Sequence, residues 1–167
     1  MTKGAIDFRS GQAFGQTVFF DETVDIHHVF PKAWCERHQL AAAQYDTVIN
    51  KTPLSSRTNR IIGGVAPSDY LKKLEAGRLD GNGQVTEPAI APDTLNEFLV
   101  SHAIPVSELR NDNFHAFIAA RQLKLLALVA EATENVMSLT AEKTVEEGEE
   151  LSESLARDAG ISLPDAT

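Results

Sequence analysis

Two short segments decide the fold: residues 24–31, VDIHHVFP, and residues 50–60, NKTPLSSRTNR. Two adjacent histidines, His27 and His28, lie in the first segment at the end of a β-like run. Two asparagines nine positions apart, Asn50 and Asn59, lie in the second segment and flank a predicted helix start. Imidazole and amide groups bind metal ions, and imidazole also transfers protons near neutral pH. We therefore interpret the rest of the chain as a scaffold for these residues.

The pattern around the histidines predicts a β-hairpin. Residues 24–30 alternate in polarity and are rich in β-branched and aromatic side chains, which favours a strand. Residues 17–20, TVFF, have the same character and are predicted to be the partner strand of the hairpin. A short helix over residues 31–39 is expected next. Residues 41–54, which contain Pro53, are predicted to be a long connection.

Helices are predicted through the rest of the chain. Ser55 is a suitable N-cap for a helix that carries Asn59 and stops at Gly63-Gly64. Later helices are expected from Pro67, from Asp93 as an N-cap, and from residue 112. The predicted class is α+β, with a β-hairpin and helix embedded in a mainly helical body.

Composition excludes several classes of protein. The 167 residues suffice for one domain with a real core. No run of about 18 apolar residues predicts a membrane span, and the N-terminus has no apolar segment that would predict a signal peptide. The single cysteine, Cys35, excludes an internal disulfide and a four-cysteine zinc ribbon, and it fits a reducing compartment. The expected location is the cytoplasm.

The net charge of −9 is concentrated near the C-terminus. Residues 131–167 contain ten acidic and two basic residues, so the first 130 residues together carry a charge of only −1. The histidine-bearing half is mildly basic, which permits contact with phosphate but does not by itself argue for it. Residues 138–167 are predicted to be an acidic, weakly ordered tail.

Strand geometry divides the two histidines into different roles. Neighbouring side chains on a strand point to opposite faces, so His27 and His28 cannot both bind one metal ion in regular geometry. One is then a ligand, and the other is free to act as a base with an unperturbed pKa of about 6.5. The second ligand must come from another element, and the helix after Ser55 offers Asn59.

The two segments resemble HNH nucleases, the family also called ββα-metal or His-Me finger nucleases. In the family's first motif a metal ligand precedes the general-base histidine and a proline follows, as in residues 24–31. The chain is similar in particular to the C-terminal HNH domain of bacterial GmrSD-type restriction proteins. That similarity covers roughly residues 5–130 and is specific in HHVFPK, NKTPLS, TNRIIGG and APSDYL, all within residues 24–71.

The resemblance implies a role for each residue of the motif. His27 and Asn59 are metal ligands, His28 is the general base that activates water, and Asn50 fixes the loop that orients His28. Asp25 is an outer ligand or lies beside the ligands, because it shares a strand face with His27. Three basic residues are candidates for phosphate contact: Lys51, Arg57 and Arg60.

The resemblance also implies a cofactor, a substrate and a domain division. The cofactor is one divalent metal ion, Mg²⁺ with Mn²⁺, Ni²⁺ or Co²⁺ as substitutes, and no organic cofactor is expected. The substrate is DNA, and the setting is an anti-phage restriction system with a ParB-like NTPase partner domain. Cleavage of both DNA strands needs a homodimer or two independent events. No membrane partner is expected. The nuclease domain is assigned to residues 1–137, with the metal finger at about 16–63 and the helical body at about 67–136.

Two alternatives stay open. The chain is also compatible with a non-catalytic nucleic-acid-binding or assembly module that keeps a vestigial metal site. A helical interaction domain with purely structural histidines is the third reading. Among the other histidines, His102 lies on an apolar helical stripe and is predicted to be a hydrogen-bonded core residue, whereas His38 and His115 are predicted to face solvent.

Overall fold

Two antiparallel strands, β1 (Val24–His28) and β2 (Lys51–Ser55), form the sheet that carries the histidines. His27 lies opposite Thr52, and His28 lies opposite Lys51. The computed structural model describes residues 4–13 and 24–134. The strand expected over residues 17–20 therefore lies outside the described residues.

The prediction that residues 41–54 form only a connection was wrong. They contain most of β2, together with a short helix and a 3₁₀ turn. Pro53 had argued against a strand, since proline cannot donate a hydrogen bond to a neighbouring strand. The sheet has two strands in the described part of the chain, so one edge of β2 is unpaired there and a proline is tolerated.

The segment between the strands is compact and largely helical. It contains α1 (Lys32–Arg37), α2 (Ala42–Tyr45) and a 3₁₀ turn (Val48–Asn50). The helix predicted over residues 31–39 is thus confirmed in a slightly shorter form. Trp34 and Cys35 of α1 and Tyr45 of α2 are buried, so both helices pack inward over the sheet end.

The helix α3 (Ser56–Ile62) follows β2 without a break. Ser55 is its N-cap, as predicted, and its side chain accepts a hydrogen bond from the backbone N–H of Thr58. The helix stops at Gly63, whose φ of 54° is in the left-handed region that glycine occupies at low cost. Because α3 begins directly after β2, its position is set by the register of the sheet.

The helical body follows, and it confirms the predicted combination of helix and sheet. Its elements are α4 (Pro67–Ala76), β3 (Arg78–Leu79), β4 (Val85–Glu87), α5 (Pro92–Ser101), α6 (Val106–Arg110) and α7 over residues 114–125. The prediction of Asp93 as an N-cap was wrong: Ala91 has that position and Pro92 begins the helix, where its fixed φ and missing N–H are favourable.

Contacts divide the chain into two units, Met1–Leu125 and Leu126–Thr167. All the predicted site residues lie in the first unit. In the second unit, residues 126–134 are helical, and the predicted acidic tail over 138–167 lies outside the described residues. No helix in the described ranges is both long and apolar enough to cross a bilayer.

The core of the first unit packs around aromatic side chains. Phe30 contacts Trp34, Phe114 and Phe117, with ring centroids 4.9 to 5.4 Å apart. The fully buried hydroxyl of Tyr70 donates a hydrogen bond to the backbone carbonyl of Val29 at 3.0 Å. Since Val29 and Phe30 directly follow His28, the core fixes the chain where β1 ends.

A buried carboxylate, Asp7, holds the junction between β2 and α3. One oxygen accepts from the backbone N–H of Ser55 at 3.0 Å, and the Thr58 hydroxyl is 3.0 and 2.9 Å from the two oxygens. The backbone N–H groups of Arg9 and Ser10 also donate to Asp7. Burial raises the pKa of this carboxyl, but these hydrogen bonds outweigh burial, and the net effect lowers its pKa.

We expect Asp7→Asn to destabilise the fold by about 1–3 kcal/mol at pH 7, because charged hydrogen bonds are lost and buried donors are left unpaired. The pKa of Asp7 is lower in the folded chain than in the unfolded chain. Its contribution is therefore present above the unfolded pKa and is lost as the pH falls through the folded pKa. Urea unfolding at pH 7 and near pH 3 should show the gap between wild type and variant narrowing in acid.

The exposed Glu97→Gln is the matched control, because Glu97 lies on α5 and no described residue bonds its side chain. It should change the free energy of unfolding by less than about 0.5 kcal/mol at either pH. An Asp7→Asn protein as stable as the control at pH 7 would contradict the role given to this carboxylate.

Candidate active site

His28 belongs to a polar cluster with Asp46 and Lys51 that the sequence did not predict. Its Nε2 lies 3.1 Å from Oδ1 of Asp46, and the same oxygen lies 2.6 Å from Nζ of Lys51. His28 and Lys51 are opposite each other in the sheet, and cross-strand partners share a face. Hydrogen bonds from Lys51 and His28 lower the pKa of Asp46, so it is a carboxylate at neutral pH. Asp46 therefore orients the imidazole ring of His28.

His27 lies on the other face of the sheet, as strand alternation predicts. It is opposite Thr52, whose buried hydroxyl lies 2.5 Å from Nδ1 of His102. Cross-strand partners point the same way, so His27 belongs to the core-facing side and is half-buried. Asp25 is on this face as well, but it is exposed and one of its oxygens accepts from the backbone N–H of Ile26 at 2.8 Å.

Asn50 closes the segment that separates the two strands. Its side chain is fully buried, and its Oδ1 accepts from the backbone N–H of Phe30 at 2.9 Å. Its Nδ2 donates to the carbonyls of Phe30 and Tyr45, both at 3.0 Å, and its own carbonyl accepts from the N–H of Val29 at 2.8 Å. The amide thus joins the end of β1 to the start of β2 through backbone groups, and it contacts no functional side chain by these bonds.

Arg121 of α7 also holds the end of this segment, through hydrogen bonds to backbone carbonyls. Its guanidinium donates to the carbonyl of Ile49 at 2.8 Å and to the carbonyl of His102 at 3.2 Å, and it lies over the ring of Phe117. The side chain is almost fully buried, and burial lowers its pKa to about 10. A buried arginine held by carbonyls rather than carboxylates is costly, so its contacts with the residues around Asn50 must offset that cost.

Asn59 projects from α3 beside its buried stripe. At about 100° per residue it is roughly 60° around the helix from Ile62 and 100° from Thr58, both of which are buried. Asn59 itself is half-buried. Since α3 contacts β1, His27 and Asn59 belong to adjoining elements.

The donor set available to a metal ion is small. Among the described residues, no three His, Cys, Asp or Glu side chains come together in a way that would hold a cation. An imidazole from His27 and an amide oxygen from Asn59 would provide only two protein ligands. Such a set suits a hard cation that keeps several water or phosphate oxygens as ligands, as Mg²⁺ usually does.

The three basic candidates for phosphate contact are in different places. Lys51 is on the His28 face of the sheet and is paired with Asp46. Arg57 donates to Glu87 Oε1 at 2.8 Å and to the carbonyl of Thr86 at 3.2 Å, and both Arg57 and Arg60 line a cavity beside α3. The sequence alone did not indicate that Lys51 lies in a different place from the two arginines.

The remaining histidines lie where they were predicted. His102 is buried, with Nε2 2.8 Å from the carbonyl of Ile6 and its ring edge-on to Phe8. Burial lowers the pKa of His102 to about 4, so it is neutral at physiological pH. The prediction of a hydrogen-bonded core histidine is confirmed. His38 and His115 are exposed, and His38 stacks on Trp34.

Comparison with known proteins gives one distant relative. The chain is 29% identical over 119 residues to the uncharacterized protein MJ0686 of Methanocaldococcus jannaschii. The similarity covers 63% of this chain, which spans only about 20% of the length of that relative. No family model and no solved structure matches the chain.

We expect Asn50→Ala to lower the free energy of unfolding by at least about 2 kcal/mol, because the Phe30 N–H and two carbonyls lose buried partners. Asn50→Asp keeps the size of the side chain but turns a carboxylate oxygen towards two carbonyls. At pH 7 this variant should lower the free energy of unfolding at least as much as Asn50→Ala does. The loss should become smaller as the pH falls, since protonation of the carboxylate restores one donor. Chemical unfolding at several pH values measures both effects.

Asn111→Ala is the matched control, because Asn111 is exposed and donates a single hydrogen bond to the carbonyl of Ser107. It should change stability by less than about 0.5 kcal/mol. If Asn50→Ala behaves like the control, the closure of the segment between the strands does not depend on this amide.

Proposed function

We propose that the chain is a metal-dependent HNH endonuclease that hydrolyses phosphodiester bonds of DNA. The supporting observation is the order of elements around the motif: β1 ending in His27-His28, a segment closed by Asn50, β2 paired to β1, and α3 carrying Asn59. This is the strand–strand–helix order that a ββα-metal finger requires. It differs from the order expected from sequence, in which the partner strand, residues 17–20, preceded the strand that carries the histidines.

His28 is the general base in this proposal. Asp46 bonds Nε2, and an imidazole that donates its proton to a carboxylate at one nitrogen carries a lone pair at the other. Nδ1 is then the atom that takes a proton from water. The divalent ion supplies Lewis-acid stabilisation of the phosphate and the leaving oxygen when it is bound. His27 and Asn59 would hold it, and Asp25 is a candidate for an outer ligand.

Lys51 is the basic residue best placed for phosphate contact near His28. It shares a face of the sheet with His28, and its ammonium group bonds the same Asp46 oxygen. An incoming phosphate competes with Asp46 for this ammonium group. If the ammonium group of Lys51 moved from Asp46 to the phosphate, Asp46 would keep only its hydrogen bond to His28. That bond would then be stronger when His28 takes a proton from water.

The biological setting in this proposal is an anti-phage restriction system, with 5′-phosphate and 3′-hydroxyl products. A ParB-like NTPase domain is the proposed partner, and a homodimer would place two sites on the two strands. The aligned part of the archaeal relative is about a fifth of its length, so most of that relative lies outside this similarity.

The alternative is a non-catalytic nucleic-acid-binding or assembly module with a vestigial metal site. One observation favours it: the described residues offer two protein ligands where three acidic or imidazole groups would make a stronger cation site. Activity and metal binding separate the two functions, because a vestigial site retains neither.

In a plasmid-nicking assay with Mg²⁺ or Mn²⁺, we expect His28→Ala to reduce the rate by about 10²–10⁴-fold, as for loss of a general base. DNA binding measured by anisotropy should stay unchanged. His115→Ala is the control, since His115 is exposed and lies on α7. Equal nicking by wild type and His28→Ala, after removal of contaminating nuclease, would rule out the catalytic assignment.

Loss of a metal ligand has a separate readout. We expect His27→Ala and Asn59→Ala to weaken Mn²⁺ binding, measured by electron paramagnetic resonance, by at least about tenfold, the loss usual even for groups that only support ligands. Asn59→Asp keeps an oxygen ligand and adds charge, so it should bind Mn²⁺ as well as or better than wild type. His38→Ala is the control, and identical affinities in all four variants would exclude this ligand pair.

A further inference from the structure

A basic cavity of about 610 Å³ lies between α3, the end of α4 and the β3–β4 hairpin. Five cationic side chains and one carboxylate line it: Arg9, Arg57, Arg60, Lys73, Arg78 and Glu87. Ile61 and Ala76 add apolar surface. A cavity of this size with a few charged groups and an apolar wall has the dimensions of a small-molecule site, not of a track for a polymer.

Two of the arginines are fixed parts of the wall. Glu87 accepts from Nε of Arg9 at 2.6 Å and from Nε of Arg57 at 2.8 Å. Arg9 is buried and also donates to the carbonyls of Leu74 and Pro88. Leu74 is in the last turn of α4, where unpaired carbonyl groups would disfavour a nearby anion. The hydrogen bond from Arg9 reduces this effect at the Leu74 carbonyl.

The other three cations supply the surplus charge. Within residues 4–13 and 24–134, the side chains of Arg60, Lys73 and Arg78 have no hydrogen-bond or ion-pair partner. They come from three elements, α3, α4 and β3, and all line the same cavity. Like charges brought together without anions repel each other, so the arrangement favours a polyanionic ligand.

One wall of this cavity depends on a close approach of the backbone at Gly77. Its φ of 69° is in the left-handed region, and a Cβ there would overlap the carbonyl oxygen of Glu87. Glycine thus lets β4 pass against the end of α4 and brings Glu87 to Arg9 and Arg57. The pairing of Glu87 with the two arginines, which forms one wall of the cavity, therefore depends on this glycine.

The cavity is separate from the candidate active site. At about 100° per residue, Arg57 is roughly 160° and Arg60 roughly 100° around α3 from Asn59. The cavity therefore opens on a different side of the helix from the proposed metal ligand. The same conclusion holds whether or not the chain is a nuclease.

We propose that this cavity binds a free nucleotide, with its phosphates on Arg60, Lys73 and Arg78 and its base or sugar against Ile61 and Ala76. Guanidinium groups match phosphate geometry with paired donors, and lysine adds a point charge. The cavity volume accommodates a nucleoside phosphate, and the apolar wall gives its organic part a surface that inorganic phosphate cannot use.

Titration calorimetry with AMP, ATP and inorganic phosphate tests this site on the full chain. We expect saturable binding of ATP and AMP, tighter than that of inorganic phosphate and weakened by salt. Arg60→Glu, Lys73→Glu and Arg78→Glu should each weaken ATP binding by about tenfold or more, the usual effect of losing a hydrogen bond to a charged group. All three side chains are exposed, so circular dichroism should show unchanged folding.

Lys72→Glu is the matched control, because Lys72 is the exposed neighbour of Lys73 on α4 and does not line the cavity. It should bind ATP like wild type. The proposal is overturned if wild type shows no saturable binding at millimolar nucleotide or if Lys72→Glu loses as much affinity as Lys73→Glu. It is also overturned if inorganic phosphate binds as tightly as AMP, or if only 5′-phosphorylated oligonucleotides bind.

Discussion

The hydrogen bonds of the buried Asn50 amide are the constraint on which the rest of the site depends. They join Asn50, the residue before β2, to the backbone of Phe30 and Tyr45. The 22 residues from 29 to 50 therefore leave the sheet after β1 and return to it at a fixed point. Since Lys51 begins β2, fixing Asn50 fixes the register of the two strands. A shift of one residue would exchange the faces of His27 and His28. The proposed roles of both histidines therefore depend on an asparagine that bonds neither of them.

The two faces of the sheet have different electrostatic environments because of that register. On the His28 face, Asp46 and Lys51 form an exposed, charged cluster. On the His27 face, Thr52 and the neutral His102 connect the sheet to Ile6 and, through a backbone carbonyl, to Arg121. Arg121 also bonds Ile49, the residue before Asn50. Buried polar groups of this kind are expensive unless they are paired. Nε of Arg121 has no hydrogen-bond partner among the described residues, but the bonds that the network does form tie three distant segments to one register.

The sequence predicted the local parts of this arrangement well. Ser55 as an N-cap, the stop at Gly63 and the core position of His102 all depend on neighbouring residues or on helical periodicity, and all are confirmed. The β2 strand was missed because Pro53 interrupts its pattern and because its partner is more than 20 residues away. The His28–Asp46 pair was missed for a similar reason: it joins residues 18 apart through two short helices. Non-local contacts of this kind leave no periodic signal in one sequence.

The helix α3 shows why net charge is a poor guide to what this chain binds. The total of −9 describes the chain as a whole, whereas the Debye length in physiological salt is about 8 Å. At that range a ligand at α3 interacts with Arg57 and Arg60, with the cations that α4 and β3 add, and with Glu87. The same helix presents Asn59 on another side, beside its buried stripe. One short helix, capped by Ser55 and anchored by Asp7, thus carries a neutral amide at the proposed metal site and two guanidinium groups at the proposed nucleotide cavity. Because both depend on the same anchor, damage to the Asp7 contacts should disturb both together, whereas exposed substitutions on either side of the helix should act on one alone.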